Sequence, residues 1–239
     1  MSLYIVLTML IVVLIVSYFA FNVRIKKIKD IATNKKLDEI SLKFPSNKEL
    51  CKEVLKMLNS EDVEIKEENN LEAKQNNSAS LYFALTHTIY ISNISNSYTR
   101  IQTICHECLH SIQPKKLLLF NFFYSNIYLI YYILSIVLTI FGVFKNIQLQ
   151  IIILLTLSLL YYAIRSFLEI ETMTKAPYIA KEYMIKYEKT CNREEINQIL
   201  NKYDELNKLG IPAYNYTLLF QCILKIIIFI IIAIIKSVI

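Results

Sequence analysis

Residues 106–110 read His-Glu-Cys-Leu-His, which is an H-E-x-x-H motif. On a helix, two histidines four residues apart project from one face and can both bind a zinc ion. The glutamate beside them can act as a general base towards a water molecule. The whole chain has only three histidines, so this spacing is poorly explained by chance. The motif therefore predicts His106 and His110 as zinc ligands and Glu107 as the catalytic base.

A single amphipathic helix over residues 98–113 is predicted to carry this motif, with polar residues 95–97 before it and Pro114 after it. The polar side of that helix would carry Thr99, Thr103, His106, Glu107, His110 and Gln113. The apolar side would carry Ile101, Ile104, Cys105, Cys108, Leu109 and Ile112. Cys105 and Cys108 form a C-x-x-C pair, but their place on the apolar side favours buried thiols over a redox pair or a zinc knuckle.

A catalytic zinc site needs a third protein ligand and an open position for water. Glu169 is the better candidate for that ligand, and Glu171 is the alternative, since the two lie about 200° apart on a helix. Arg165, one turn before Glu169, could pair with it, bind the developing oxyanion of a substrate, or snorkel to the membrane interface. His87 lies in an alternating run, residues 86–91, that predicts a strand. That strand could pair with an extended substrate as an added edge strand, which makes His87 a candidate substrate-binding residue.

The chain is too apolar for an ordinary soluble domain, with 55% hydrophobic and 19% charged residues. Four stretches are long enough to cross a membrane, at about residues 3–23, 117–144, 147–168 and 214–235. Lys225 lies inside the fourth stretch, where it could either snorkel or face the helix bundle. The net charge of +6 is too small and too scattered to indicate a nucleic-acid partner.

Basic residues predict the orientation of these stretches in the membrane. Residues 24–116 hold fifteen Lys and Arg and residues 169–212 hold seven, whereas the loop around Lys145 holds one. The positive-inside rule therefore places both polar segments in the cytoplasm and the N-terminus outside. The hairpin of the second and third stretches then returns Glu169 to the membrane face that carries His106 and His110. Five cysteines, an odd number, also suit a reducing compartment.

The stretch Thr88-Ile-Tyr-Ile-Ser-Asn, followed by Ser97 and by Ile104 to Gln113, resembles the membrane-bound neutral zinc metallopeptidases of bacteria. In that family a strand containing Leu-Ser leads to His-Glu-Val-Gly-His-Ala-Ile-Gln, and Val-Glu-Phe-Asp follows a two-span hairpin. Here Leu168-Glu-Ile-Glu171 resembles the second motif, and the likeness extends from about residue 80 to the C-terminus. Leu109, Ser111 and Glu171 depart from the family pattern, as does the run of residues 172–175.

This resemblance implies one zinc ion per chain, held by His106, His110 and Glu169, with Glu107 as the base. It also implies a more distant similarity to heat-shock and prenyl-protein-processing membrane proteases. The expected fold is a mainly α integral membrane protein with four transmembrane helices and a cytoplasmic zincin-like subdomain carrying a short strand or small sheet.

The expected organisation has five segments. They are an N-terminal anchor at 1–23, a peptidase subdomain at 24–116, a transmembrane hairpin at 117–168, a cytoplasmic segment with the third ligand at 169–212, and a C-terminal transmembrane helix at 213–239. The expected function is that of a multi-pass zinc endopeptidase of the plasma membrane. Its partners would be the lipid bilayer and a peptide or membrane-protein substrate. The alternative is a non-catalytic adaptor of the same fold.

Overall fold

The structure is a computed structural model that describes residues 2–67, 80–92, 94 and 96–238. It is mainly helical with one small sheet, as the sequence predicts. The elements are α1 (Leu3–Ala20), α2 (Ile25–Ala32), α3 (Lys35–Ser41), α4 (Asn47–Met57), β1 (Glu64–Glu67), β2 (Leu81–Phe83), β3 (Thr88–Ile91), α5 (Arg100–Ser111), α6 (Lys115–Ile140), α7 (Ile147–Ile185) and α8 (Arg193–Val238).

Four of these helices, α1, α6, α7 and α8, are long and apolar enough to cross a membrane by length and composition. This agrees with the four stretches predicted from the sequence. Two of the helices are much longer than those stretches, because α7 continues to Ile185 and α8 already begins at Arg193. The backbone hydrogen bonds of a helix are formed between residues of the helix itself, so a helix can continue from an apolar into a polar stretch.

The chain divides into two compact units. One, called here the apolar unit, comprises Met1–Val23, Phe120–Phe167 and Pro212–Ile239. Its interior contains a cluster of buried side chains, namely Tyr128, Ile151, Leu154, Ile226, Phe229 and Ile230. Large apolar side chains also lie on its exterior, among them Ile127 and Ile130, each more than 60% exposed. An exterior of this kind is compatible with a membrane protein.

Lys225 of the apolar unit lies against aromatic rings. Its Nζ atom is 4.6 Å from the centroid of the Tyr128 ring and 5.7 Å from that of the Tyr161 ring. Tyr128 is almost fully buried, so the amine faces the packed helices and not the exterior. A cation over the face of an aromatic ring is attracted by the quadrupole of that ring.

The other unit, called here the polar unit, comprises Arg24–Leu119 and Leu168–Ile211. Within it α4 packs against α5. The buried side chain of Arg100, at the start of α5, donates hydrogen bonds to the connection between α3 and α4. The acceptors are the main-chain oxygens of Ser41, Phe44 and Pro45 and the side-chain oxygen of Asn47. This contact joins α5 to the preceding helices.

The sheet of the polar unit has the order β1-β3-β2. β3 pairs in parallel with β1, Glu64 opposite Thr88, and antiparallel with β2, Tyr82 opposite Ile89. The prediction that residues 87–91 form an edge strand for substrate is therefore wrong, because β3 is the central strand. The predicted start of the strand at residue 86 is also wrong. His87 has a φ of 54° and ends the turn before β3, a conformation that histidine adopts more readily than most residues.

Candidate metal centre

The H-E-x-x-H motif lies on α5, which begins at Arg100 and ends at Ser111 and so is slightly shorter than the predicted 98–113. Thr99 is the N-cap residue of α5. Of the three polar residues predicted to precede the helix, Asn96 and Ser97 are described, whereas Ser95 lies outside the described residues. The predicted apolar side is buried at Ile101, Ile104, Cys105, Cys108 and Leu109, whereas Ile112 is half exposed. The polar side is covered as well, since Glu107 and His110 are each less than 10% exposed.

Three side chains of the polar unit converge on one point. His106 Nε2 lies 3.3 Å from His110 Nε2 and 3.3 Å from Glu169 Oε2, and His110 Nε2 lies 3.8 Å from Glu169 Oε1. One ligand atom from each residue lies within 4.8 Å of the others. Such a group could hold a metal ion. It is the one group of this kind in the part of the chain that the structure describes.

Glu171, the alternative third ligand, is used elsewhere. Its Oε2 atom accepts a hydrogen bond of 2.8 Å from Gln113 Nε2, and its Oε1 atom lies 2.7 Å from Lys175 Nζ. Two positions that are two residues apart in the chain point to different sides of a helix, so only one of the pair can face the histidines. On α7 that residue is Glu169.

Glu107 is placed by a contact that the sequence does not reveal. Its Oε2 atom accepts a hydrogen bond of 2.7 Å from the main-chain N–H of Tyr82 in β2. Burial raises the pKa of Glu107, while the charges of His106 and His110 and the hydrogen bond from Tyr82 lower it, and the net direction is upward. A carboxylate with a raised pKa is a better match for proton transfer near neutral pH.

The charges around His110 favour a cation in the cluster. Burial lowers the pKa of His110, but the hydrogen bond and charge of Glu169 and the charge of Glu107 raise it by more. The net pKa is therefore raised, which means that the two carboxylates create a negative potential at the imidazole. The same potential would attract a metal cation.

The donor set suits a divalent transition-metal ion. Two imidazole nitrogens and one carboxylate are a common ligand set of catalytic zinc sites, which leave one position open. Iron(II) also binds two histidines and one carboxylate. The buried carboxylate of Glu107 lies beside the cluster, where it could act as a general base towards a bound water.

The structure places His87 outside the cluster. Both ring nitrogens of His87 are engaged, Nδ1 with the hydroxyl of Tyr82 at 2.6 Å and Nε2 with Asp62 at 3.0 Å. Arg165 is a half-buried residue of the apolar unit, one helical turn before Glu169 on α7. The suggested roles of Arg165 and His87 towards a substrate stay predictions.

The chain matches no protein-family model, no curated protein and no solved structure. A function for it therefore has to be inferred from the geometry and chemistry of the cluster.

Proposed function

We propose that this chain is a zinc-dependent membrane endopeptidase that hydrolyses peptide bonds at the cytoplasmic surface of the plasma membrane. The observation that carries the proposal is the convergence of His106, His110 and Glu169 beside the buried carboxylate of Glu107. The two histidines and Glu169 would hold the zinc ion. This assignment also follows the resemblance to the membrane-bound neutral zinc metallopeptidases of bacteria.

Glu107 would carry the proton transfers of the reaction. A bound zinc ion would supply a Lewis acid that polarises a carbonyl and lowers the pKa of water. Glu107 would take a proton from the attacking water and return it to the leaving amine. The amide of Tyr82 orients the carboxylate for this task, and burial keeps it a stronger base than an exposed glutamate.

β2 is the better candidate strand for binding an extended peptide. Among the described residues it pairs with β3 on one side only. The amide of Tyr82 in this strand points to Glu107, so the unpaired edge of β2 runs beside the catalytic carboxylate. A substrate added along that edge would be recognised mainly through its backbone, which predicts little dependence on side-chain sequence.

The membrane assignment rests on the four apolar helices and on the distribution of basic residues. Together they favour a multi-pass protein of the plasma membrane with its N-terminus outside and the residues of the polar unit in the cytoplasm. Membrane proteins, or peptides close to the membrane, would then be the accessible substrates.

The decisive experiment compares wild type with Glu107→Gln in purified full-length protein in detergent micelles. We expect both to contain one zinc ion per chain, and only the wild type to cleave a mixture of unstructured peptides. General-base removal typically costs about 10²–10⁴-fold in rate. Glu39→Gln, which makes the same chemical change at an exposed position of α3, is the matched control and should retain full activity.

Two results would contradict the proposal. One is a wild-type protein without bound zinc, and the other is a Glu107→Gln variant as active as the wild type. A wild-type protein that binds zinc but cleaves no peptide would favour the non-catalytic adaptor.

A further inference from the structure

Gln113 makes three hydrogen bonds at the end of α5, and its side chain is almost fully buried. Its Oε1 atom lies 2.8 Å from Nδ1 of His110. Its Nε2 atom donates to the main-chain oxygen of Leu168 at 2.9 Å and to Oε2 of Glu171 at 2.8 Å. A glutamine amide has two hydrogens to donate and one oxygen that accepts, so each of its polar groups has a partner.

These partners settle which end of the amide faces His110. The oxygens of Leu168 and of the Glu171 carboxylate can only accept, so the NH₂ group of Gln113 must point to them. The amide oxygen then points to His110, which must carry its proton on Nδ1. In the neutral imidazole the lone pair is then on Nε2, on the side of His106 and Glu169, and this is the form that binds a metal.

The same amide also joins the two helices that supply the ligands. Leu168 immediately precedes Glu169 on α7, so the bond from Gln113 to the oxygen of Leu168 holds the backbone beside the third ligand. Glu171 in turn is held by Lys175. One side chain thus contacts His110 directly and restrains the segment that carries Glu169.

We propose that Gln113 is a positioning residue for the metal centre, which selects the metal-binding tautomer of His110 and fixes Glu169 through Leu168. This inference rests on the proposed function, since it concerns the same zinc site. Glu171 supports Gln113 and does not bind the metal. Loss of an outer partner of a metal ligand typically weakens metal affinity by about 10–100-fold.

Zinc affinity, measured by competition with a fluorescent chelator on the purified full-length protein, tests the proposal without any activity assay. We expect Gln113→Leu to bind zinc about 10–100-fold more weakly than the wild type. Gln102→Leu, on α5 itself, is the matched control. Gln102 donates a hydrogen bond of 2.7 Å to Asn207 and contacts none of the ligands, so its loss should leave zinc affinity unchanged.

An exchange of side chains provides the rescue. Gln113→Glu alone would place two carboxylates together at 113 and 171 and should bind zinc weakly. Adding Glu171→Gln restores a donor at 171, and the carboxylate at 113 can still accept from Nδ1 of His110. We expect this double variant to bind zinc more tightly than Gln113→Glu but more weakly than the wild type, because a carboxylate at 113 cannot donate to the main-chain oxygen of Leu168. We also expect the visible absorption spectrum of cobalt(II), measured at saturating metal, to resemble the wild-type spectrum more closely in the double variant than in Gln113→Glu.

The outcomes separate this inference from the function on which it rests. Wild-type affinity in Gln113→Leu, an equal loss in Gln102→Leu, or no recovery in the double variant would each overturn the role of Gln113. Zinc binding by the wild type would stand in all three cases. Activity of Glu107→Gln would overturn the peptidase proposal alone, and absence of zinc from the wild type would overturn both.

Discussion

His106 and Glu169 bring a ring nitrogen and a carboxylate oxygen to 3.3 Å from each other, although α6 and the first half of α7 separate them in the chain. His110 lies on the same side of Glu169 at 3.8 Å. Neither helix alone provides more than two of the three candidate ligands, so the candidate metal centre forms only when α5 and the second half of α7 are packed together. Substitutions of Glu169 and Glu171 on α7 test this arrangement most directly.

Glu169→Ala should remove zinc, whereas Glu171→Ala should weaken zinc binding less. The reason is that Glu169 faces both histidines, while Glu171 contacts Gln113 and Lys175. For Glu169→Ala we expect a loss of affinity beyond the about 10–100-fold that is typical of outer partners. Metal analysis after dialysis against a weak chelator measures the difference. If Glu169→Ala retained zinc and Glu171→Ala lost it, Glu171 would be the third ligand and Glu169 would not.

Removal of zinc should lower the thermal unfolding midpoint, Tm, of the protein. A ligand that binds only the folded state stabilises it by about 2.7 kcal/mol at a free concentration of roughly 100 times Kd. We therefore expect a strong chelator to lower Tm and added zinc to restore it, as followed by the fluorescence of a thiol-reactive dye. In His110→Ala, which lacks one ligand, chelator and zinc should make little difference. A chelator effect of wild-type size in that variant would place the stabilising metal elsewhere.

Cys105 and Cys108 should resist alkylation in the folded protein. Burial, with the nearby thiol of Cys51, raises the pKa of both thiols. A raised pKa keeps a thiol protonated, so little reactive thiolate forms even at pH 9, where an ordinary cysteine with a pKa of about 8.5 is mostly ionised. Mass spectrometry after iodoacetamide treatment should find both residues modified only in denaturant. Rapid modification of the folded protein at either residue would revive the interpretation of C-x-x-C as a redox pair.

Arg100→Met should destabilise the polar unit. The substitution leaves several buried oxygens between α3 and α4 without a donor, and we expect a cost of about 3 kcal/mol. For a chain of this size each kcal/mol lowers Tm by roughly 2–4 °C. Arg193→Met, at an exposed position, is the matched control and should leave Tm nearly unchanged. Equal Tm values for the two variants would show that the Arg100 contacts contribute nothing to stability.

His87→Ala should lower Tm without changing zinc affinity. His87 links Tyr82 to Asp62 and lies outside the metal cluster, so its loss removes hydrogen bonds worth about 1 kcal/mol each from the β2–β3 turn. His87→Asn should keep the backbone conformation better, because asparagine tolerates a positive φ. Chelator competition and thermal unfolding measure the two effects separately. A clear loss of zinc affinity in both variants would give His87 a part in the metal centre.

Much of the architecture could be predicted from local patterns. The four apolar helices follow from hydropathy and length, and α5 follows from the alternation of apolar and polar residues at helical spacing. The choice of Glu169 over Glu171 agrees with the cluster. The position of His87 was not predictable in the same way. An alternating run predicts a strand, but the residue at which the turn ends and the strand begins depends on the pairing of β3 with β1, which lies more than 20 residues earlier in the chain.

Periodicity and spacing in the chain sufficed to indicate the helices, the motif and the chemistry of its side chains, because these depend on residues a few positions apart. Packing alone decided that β3 is central, that the amide of Tyr82 holds Glu107, and that Gln113 joins His110 to Leu168. The last two contacts use main-chain groups, which every residue carries and which leave no mark in a sequence. Their positions become defined only when elements far apart in the chain bury one another.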